Sequence, residues 1–200
     1  LCQTLPVIGI GLIEIARAAI LCDDAELKNR DGVWSVEGDP MEGALLAAAG
    51  IAGNGTPEQV MEWVPQCYGT PDKVMLGAFC VSEPDAGSDV SSLRTRAVYD
   101  EAKDEWTING TKAWITNGSI ADVAVVWAKT DDGVRGFLVE QGTPGFSAVE
   151  HKGKYSLRAS ITSQLVLEDC RVPADAILPG TSGLKNALTC LNQARYGIAW

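Results

Sequence analysis

The 200-residue chain predicts an α+β fold, with a helical N-terminal part, an antiparallel β-barrel or sandwich as middle domain, and the start of a further helix at the end. Apolar residues recur at helical spacing before residue 74 and again from Leu184. Between them lie short apolar runs separated by Asn109-Gly110 and Asp132-Gly133, dipeptides that favour the left-handed turns joining antiparallel strands. Strands at this spacing imply a barrel or sandwich. The organisation expected is a helical region over 1–73, a β-rich domain over 74–183 and a helix over 184–200.

Composition narrows the function classes. An apolar fraction of 46% with 21% charged residues is that of a globular chain, not a disordered one. The net charge of −10 argues against nucleic acid as partner, because phosphate contacts need a basic surface. The cysteines, Cys2, Cys22, Cys67, Cys80, Cys170 and Cys190, form no CxxC pair, and His151 is the single histidine, so a structural zinc site has little to draw on. Scattered cysteines are expected as buried thiols in a reducing compartment, which places the chain in the cytoplasm.

Taken in order, the run from Leu5 to Leu21 contains Pro6, Glu14 and Arg17 and is short against the roughly 20 apolar residues of a membrane crossing. A buried helix is expected there, and no membrane span. No basic segment precedes it, and the opening at Leu1 rather than methionine points to a fragment. Further on, Gly38-Asp39-Pro40 with Glu42 starts a helix by supplying a cap, an early proline and an acidic first turn. Thr56-Pro57-Glu58 does the same for a helix carrying Val60, Trp63 and Val64 on one face until Pro65 breaks it.

Gly69 to Lys73 leads into the first strand. Ala78 to Ser82 reads as the end of that strand, stopped by Glu83-Pro84. The loop Asp85-Ala86-Gly87-Ser88 is small enough for backbone N–H groups to approach an anion, with hydroxyls on Ser82, Ser88, Ser91 and Ser92. A pyrophosphate fits such a loop, and so does an ordinary strand exit. The expected strands are Trp106–Ile108, Lys112–Ile115, Asp122–Lys129, Gly136–Glu140 and Thr162–Leu167, with Val172-Pro173 closing the sheet. Leu184, Leu188, Leu191, Ala194 and Ile198 then mark a helix.

The loop Phe79-Cys80-Val81-Ser82-Glu83-Pro84-Asp85-Ala86-Gly87-Ser88-Asp89 and the stretch Asn109 to Gly118, with Trp114-Ile115-Thr116 inside it, together resemble the acyl-CoA dehydrogenase family from about Gly55 to Trp200. The resemblance implies FAD, held by Phe79, Val81, Ser82, Gly87 and Ser88, with Ser82 standing where the family commonly has threonine. It implies that Ser88 contacts the pyrophosphate and lies beside the acyl-CoA. Trp114 would cover a flavin face with Ile115 next to it, and the Thr116 hydroxyl would lie near the hydride-accepting nitrogen. Without a cofactor, Trp114 and Ile115 are expected in the core.

Lys154 to Ser160 and Cys190 to Gly197 resemble the glutaryl-CoA dehydrogenase branch, which makes Asn192 and Arg195 candidates for substrate contact. The bland alternatives are Arg158 paired with an acidic loop and Arg195 on a solvated helix face. In the family a carboxylate removes the α-proton of an acyl-CoA thioester while the β-hydrogen leaves as hydride to the flavin. That carboxylate is expected beyond Trp200, so no residue here is assigned as base, and the 200-residue chain is expected to bind FAD weakly without turnover. The family also implies electron-transfer flavoprotein and further copies of the chain as partners. A non-catalytic flavin or acyl-CoA-binding module and a flavin monooxygenase of the same fold are the other readings. Residues 22–50 resemble a piece of the nucleotide-binding domain of P-type ATPases without that family's DKTGT motif. They would be a residual nucleotide contact at Asp39 or Glu42, or simply a hairpin and a helix.

Overall fold

The structure, a computed structural model, describes residues 27–30, 33–36, 42–67 and 75–198; the Leu5–Leu21 run and the Gly38-Asp39-Pro40 cap lie outside them. Among the described residues no helix is long and apolar enough to cross a membrane. Strands β1 (Leu27–Arg30) and β2 (Val33–Val36) form an antiparallel hairpin. Helix α1 spans Glu42–Asn54 and α2 spans Pro57–Trp63. The start of α2 is a full capping box, in which Gln59 N–H donates to Thr56 Oγ1 at 3.2 Å and Thr56 N–H donates to Gln59 Oε1 at 2.9 Å. Gln59 Nε2 also donates to the carbonyls of Asp175 and Ile177, tying this helix to the far end of the chain.

The seven-stranded sheet that follows holds β3 (Gly77–Cys80), β4 (Arg96–Asp100), β5 (Glu105–Thr116), β6 (Val123–Thr130), β7 (Gly133–Glu140), β8 (Phe146–Glu150) and β9 (Thr162–Pro173). Its order is β3-β6-β4-β5-β9-β8, with β7 on β6. Most pairs are antiparallel, as expected, but β3 runs parallel to β6, and β4 touches β6 in the same sense. Parallel pairing needs a long crossover, and here β4 and β5 supply it. Two strands escaped the sequence reading. β4 and β8 are short and carry mostly exposed positions, so they show little apolar alternation.

Two faces of the sheet are buried. Phe79, Val81, Val123, Val125, Trp127 and Leu138 point to one side, where α1 and helix α3 (Leu184–Ile198) pack through Leu46, Ile51, Ala187 and Cys190. Ala78, Cys80, Ala124, Val126 and Ala128 alternate to the other side. There they share one cluster with Ile108, Leu165, Leu167 and Cys170 of β5 and β9. Trp106 of β5 meets Phe137 of β7 edge-on at 5.1 Å. Strands that are not neighbours in the sheet touch in this way only if the sheet curls over itself, which gives a half-barrel rather than a flat layer.

Asp132-Gly133 forms the expected turn, with Thr130 opposite Gly133. Asn109-Gly110 does not. The expected strands 106–108 and 112–115 are one continuous strand, β5, and the dipeptide lies inside it opposite a bulge of β9. Asn109 is engaged sideways, since its Oδ1 accepts from Asp169 N–H at 2.8 Å and its Nδ2 donates to Asp169 Oδ1 at 3.2 Å. Gly110 is glycine for a packing reason, because a Cβ there would meet Thr95 Oγ1 at 2.4 Å and Thr95 Cα at 2.7 Å. Long-range pairing with β9 overrides the local turn preference.

Candidate functional site

The two motifs singled out in the sequence meet. Ala113 N–H donates to Ser82 O at 3.0 Å, which lays the start of the loop after β3 against the last residues of β5. Residues 83–86 form a tight turn, with Glu83 and Ala86 exchanging backbone hydrogen bonds at 3.1 Å. Beyond it Gly87 and Ser88 are exposed, and nothing lies within 4 Å of where a Gly87 Cβ would stand. The loop surface is therefore open to a ligand. Ser91 and Ser92 are not available in the same way. Their hydroxyls donate to Asp89, whose carboxylate also caps the short 3-10 turn at Val90–Ser92.

Near its end β5 carries a second irregularity between Lys112 and Ile115, where one extra residue stands against β9. Lys112, Ala113 and Ile115 are buried, whereas Trp114 has a φ of 59° and is 67% exposed. A left-handed backbone at a bulky residue costs about 1–3 kcal/mol and persists only where the surroundings impose it. The bulge re-aims the indole outward. Trp114 thus departs from the expectation for a cofactor-free strand, while Ile115 meets it by packing in the core. One face of the indole stacks on His151, with centroids 4.5 Å apart and planes 26° from parallel. His151 is placed by its own N–H, which donates to Thr162 O at 2.8 Å. Thr116 is half-buried at the end of the strand, opposite Thr162.

Phe79 and Val81 point their side chains into the core, Phe79 against Trp127 at 5.9 Å, so only their backbone faces the loop. Ser82 is half-buried beside Ala113. The structure gathers Ser82, Trp114 and Thr116 around one strand end, with Gly87 and Ser88 on the adjoining loop. Arg158 is exposed on the 151–161 loop. The side chains of Asn192 and Arg195 lie outside the described residues, although both positions belong to α3.

Sequence reasoning missed a buried ion pair beside the contact between the two motifs. Lys112 is fully buried and Glu83 is 6% exposed, and Lys112 Nζ donates to Glu83 Oε1 at 2.9 Å. The ammonium also reaches Val81 O at 3.3 Å, and the carboxylate accepts from Arg94 N–H at 2.6 Å and Thr95 N–H at 3.0 Å. Burial pushes the Glu83 carboxyl up, but Lys112 and the donors on Thr95 and Arg94 outweigh it and leave it below its usual range. Burial lowers the Lys112 ammonium, opposed by Glu83. Both residues lie within the two motifs, as a glutamate just before a proline and a lysine between the apolar residues of a strand, but nothing in the sequence pairs them.

Comparison with known proteins places this geometry. Residues 78–170 match the acyl-CoA dehydrogenase middle domain. Acryloyl-CoA reductase (NADH) of Anaerotignum propionicum is 38% identical over 160 residues, 77% of this chain and 40% of that protein. Human mitochondrial short-chain specific acyl-CoA dehydrogenase is 43% identical over 152 residues, 72% of this chain and 35% of that protein. A glutaryl-CoA dehydrogenase from Mycobacterium smegmatis, solved in complex with FADH2, superposes with a TM-score of 0.72 at 52% identity over 78% of this chain and 39% of that one. The half-barrel has the fold of the acyl-CoA dehydrogenase middle domain, and the chain belongs to that family. It spans about 40% or less of the length of these relatives. The resemblance of residues 22–50 to a P-type ATPase is not supported by these comparisons.

Proposed function

We propose that the chain holds FAD between the Ser82–Ser88 loop and the Trp114–Thr116 strand end, as part of an acyl-CoA dehydrogenase that introduces an α,β double bond into a thioester. The observation that carries this reading is the Ala113–Ser82 hydrogen bond, which sets a hydroxyl-bearing open loop beside an outward-turned indole. The residues suit the group. An exposed flat aromatic offers a stacking face for an isoalloxazine, and Ser82, Ser88 and open backbone around Gly87 offer donors to a pyrophosphate. When bound, FAD supplies the two-electron acceptor.

In this reading Ser88 serves both the pyrophosphate and the acyl-CoA, Trp114 excludes water from one ring face, and Thr116 donates its hydroxyl to the ring. Asn192 and Arg195 contact the acyl group, with a glutaryl-like chain as the substrate class. No residue of this chain is assigned as the proton-abstracting base, and the 200-residue chain on its own binds FAD weakly and without turnover. Electron-transfer flavoprotein takes the electrons in the whole enzyme, a second copy of the chain completes it, and its place is the cytoplasm.

The test is the visible absorption of the purified chain titrated with FAD. Saturable binding that Trp114→Ala weakens about tenfold or more, the scale of a lost base–aromatic stack, is the expected result. Absence of any flavin binding overturns the proposal. Bleaching on addition of an acyl-CoA overturns only the statement about turnover.

A further inference from the structure

We propose that Glu83 and Lys112 are a positioning pair for the flavin site, holding the Ser82 carbonyl and the Trp114 bulge in register with each other. The inference rests on the reading of that site as a flavin site. Glu83 directly follows Ser82, and Lys112 directly precedes Ala113, so the ion pair sits beside the single backbone bond that joins the two motifs. One carboxylate binds both ends of the intervening loop, taking Lys112 next to its start and the Arg94 and Thr95 amides at its finish. The ammonium spends a second donor on Val81 O. Each end of the loop is thereby fixed in direction as well as in distance.

Packing alone does not explain the choice. Two apolar side chains of similar volume would fill this space and avoid desolvating two charges, but would leave the Arg94 and Thr95 amides and the Val81 carbonyl without these partners. What a carboxylate and an ammonium add, besides their bond to each other, is directional bonding to three backbone groups, the Arg94 and Thr95 amides and the Val81 carbonyl. Lys112 stands two residues before the point where the backbone of β5 turns left-handed to expose Trp114. The pair touches neither the loop hydroxyls nor the indole, so its effect on them is indirect.

The experiment uses the full chain and the variants Glu83→Gln and Glu83→Gln/Lys112→Met, the second of which leaves no buried charge uncompensated. Amide hydrogen exchange compares Ala113 with Val125 in the core of β6, and FAD affinity is measured by absorption. Loss of positioning is expected to speed exchange at Ala113 about tenfold relative to Val125, roughly the worth of one charge-assisted bond, and to weaken FAD about as much. Equal acceleration at both amides, or none at Ala113, overturns the inference and leaves the pair as ordinary fold stabilisation. Failure of both variants to fold overturns it in the same way. If the wild-type chain binds no FAD, the functional reading fails, while the Ala113 exchange still decides whether the pair sets the contact between the two motifs.

Discussion

Trp114 and His151 stack ring on ring at 4.5 Å, one on β5 and the other just past the end of β8, two strands that do not pair with each other. His151 closes one face of an indole that otherwise stands in solvent. Aromatic pairs are worth about 0.5–1.5 kcal/mol beyond their burial. His151→Ala is expected to lower stability by about 1 kcal/mol in urea unfolding and to change the emission of Trp114, with Trp114→Phe as the reference that removes that signal. An unchanged unfolding midpoint would mean the stack contributes nothing.

Lys112→Met alone strands a buried carboxylate and is expected to cost about 3–5 kcal/mol, far more than the charge-free double variant. The pH dependence follows from Glu83. Its folded value lies below the ordinary 4.5, so its contribution is complete above that value and is lost as pH falls through the lower, folded one. Urea midpoints measured downward from pH 7 should hold until about pH 4.5 and then fall. The double variant should fall less steeply over the acid range, and parallel profiles would contradict the assignment.

Gly110→Ala tests whether Asn109-Gly110 belongs to a strand interior. The new methyl would overlap Thr95, whose backbone cannot step aside without disturbing Lys129, because Lys129 N–H donates to Thr95 O at 2.8 Å. Overpacking of this kind costs about 1–3 kcal/mol. Thermal unfolding of Gly110→Ala beside Gly133→Ala, which has open space around it, separates the clash from the loss of glycine's freedom.

The thiols of Cys67, Cys80, Cys170 and Cys190 are free and buried. Burial pushes Cys67 up to about 12, helped by Asp122, and Cys80 also to about 12, partly offset by Lys112. Cys170 and Cys190 rise to about 11 for the same reason. Because the thiolate is the reactive form, these four should resist alkylation at pH 8 in the folded chain and react in urea. Peptide mapping after brief iodoacetamide treatment would show it, and modification of Cys80 in the native chain would contradict its burial.

Much of this fold could be read from local chemistry. Thr56 with Gln59 writes the α2 cap in four residues, and Asp132-Gly133 closes a hairpin whose partners are its immediate neighbours. What escaped depends on contacts between distant residues. Asn109-Gly110 looks like a turn until Asp169 and Thr95 are beside it. The exposure of Trp114 depends on a bulge specified jointly by β5 and β9, and the pairing of Lys112 with Glu83 links residues 29 apart in sequence. Ser82, Trp114 and Thr116 were singled out through the resemblance of two short motifs; Glu83 and Lys112 stand inside the same motifs, but nothing local says that they pair.

The parallel alignment of β3 with β6 also shapes the order in which the chain is made. Leu76 and Asp122, which clamp the start of that alignment through a 2.7 Å hydrogen bond, are 46 residues apart. As the N-terminal side leaves the ribosome first, the apolar segment Gly-Ala-Phe-Cys of β3 must wait unpaired until β4, β5 and β6 have all been synthesised. An unpaired apolar strand is a site of mis-association, and long-range pairings of this kind form slowly. Nascent chains stalled before residue 123 should therefore be held by chaperones through this segment, and release should coincide with the emergence of β6.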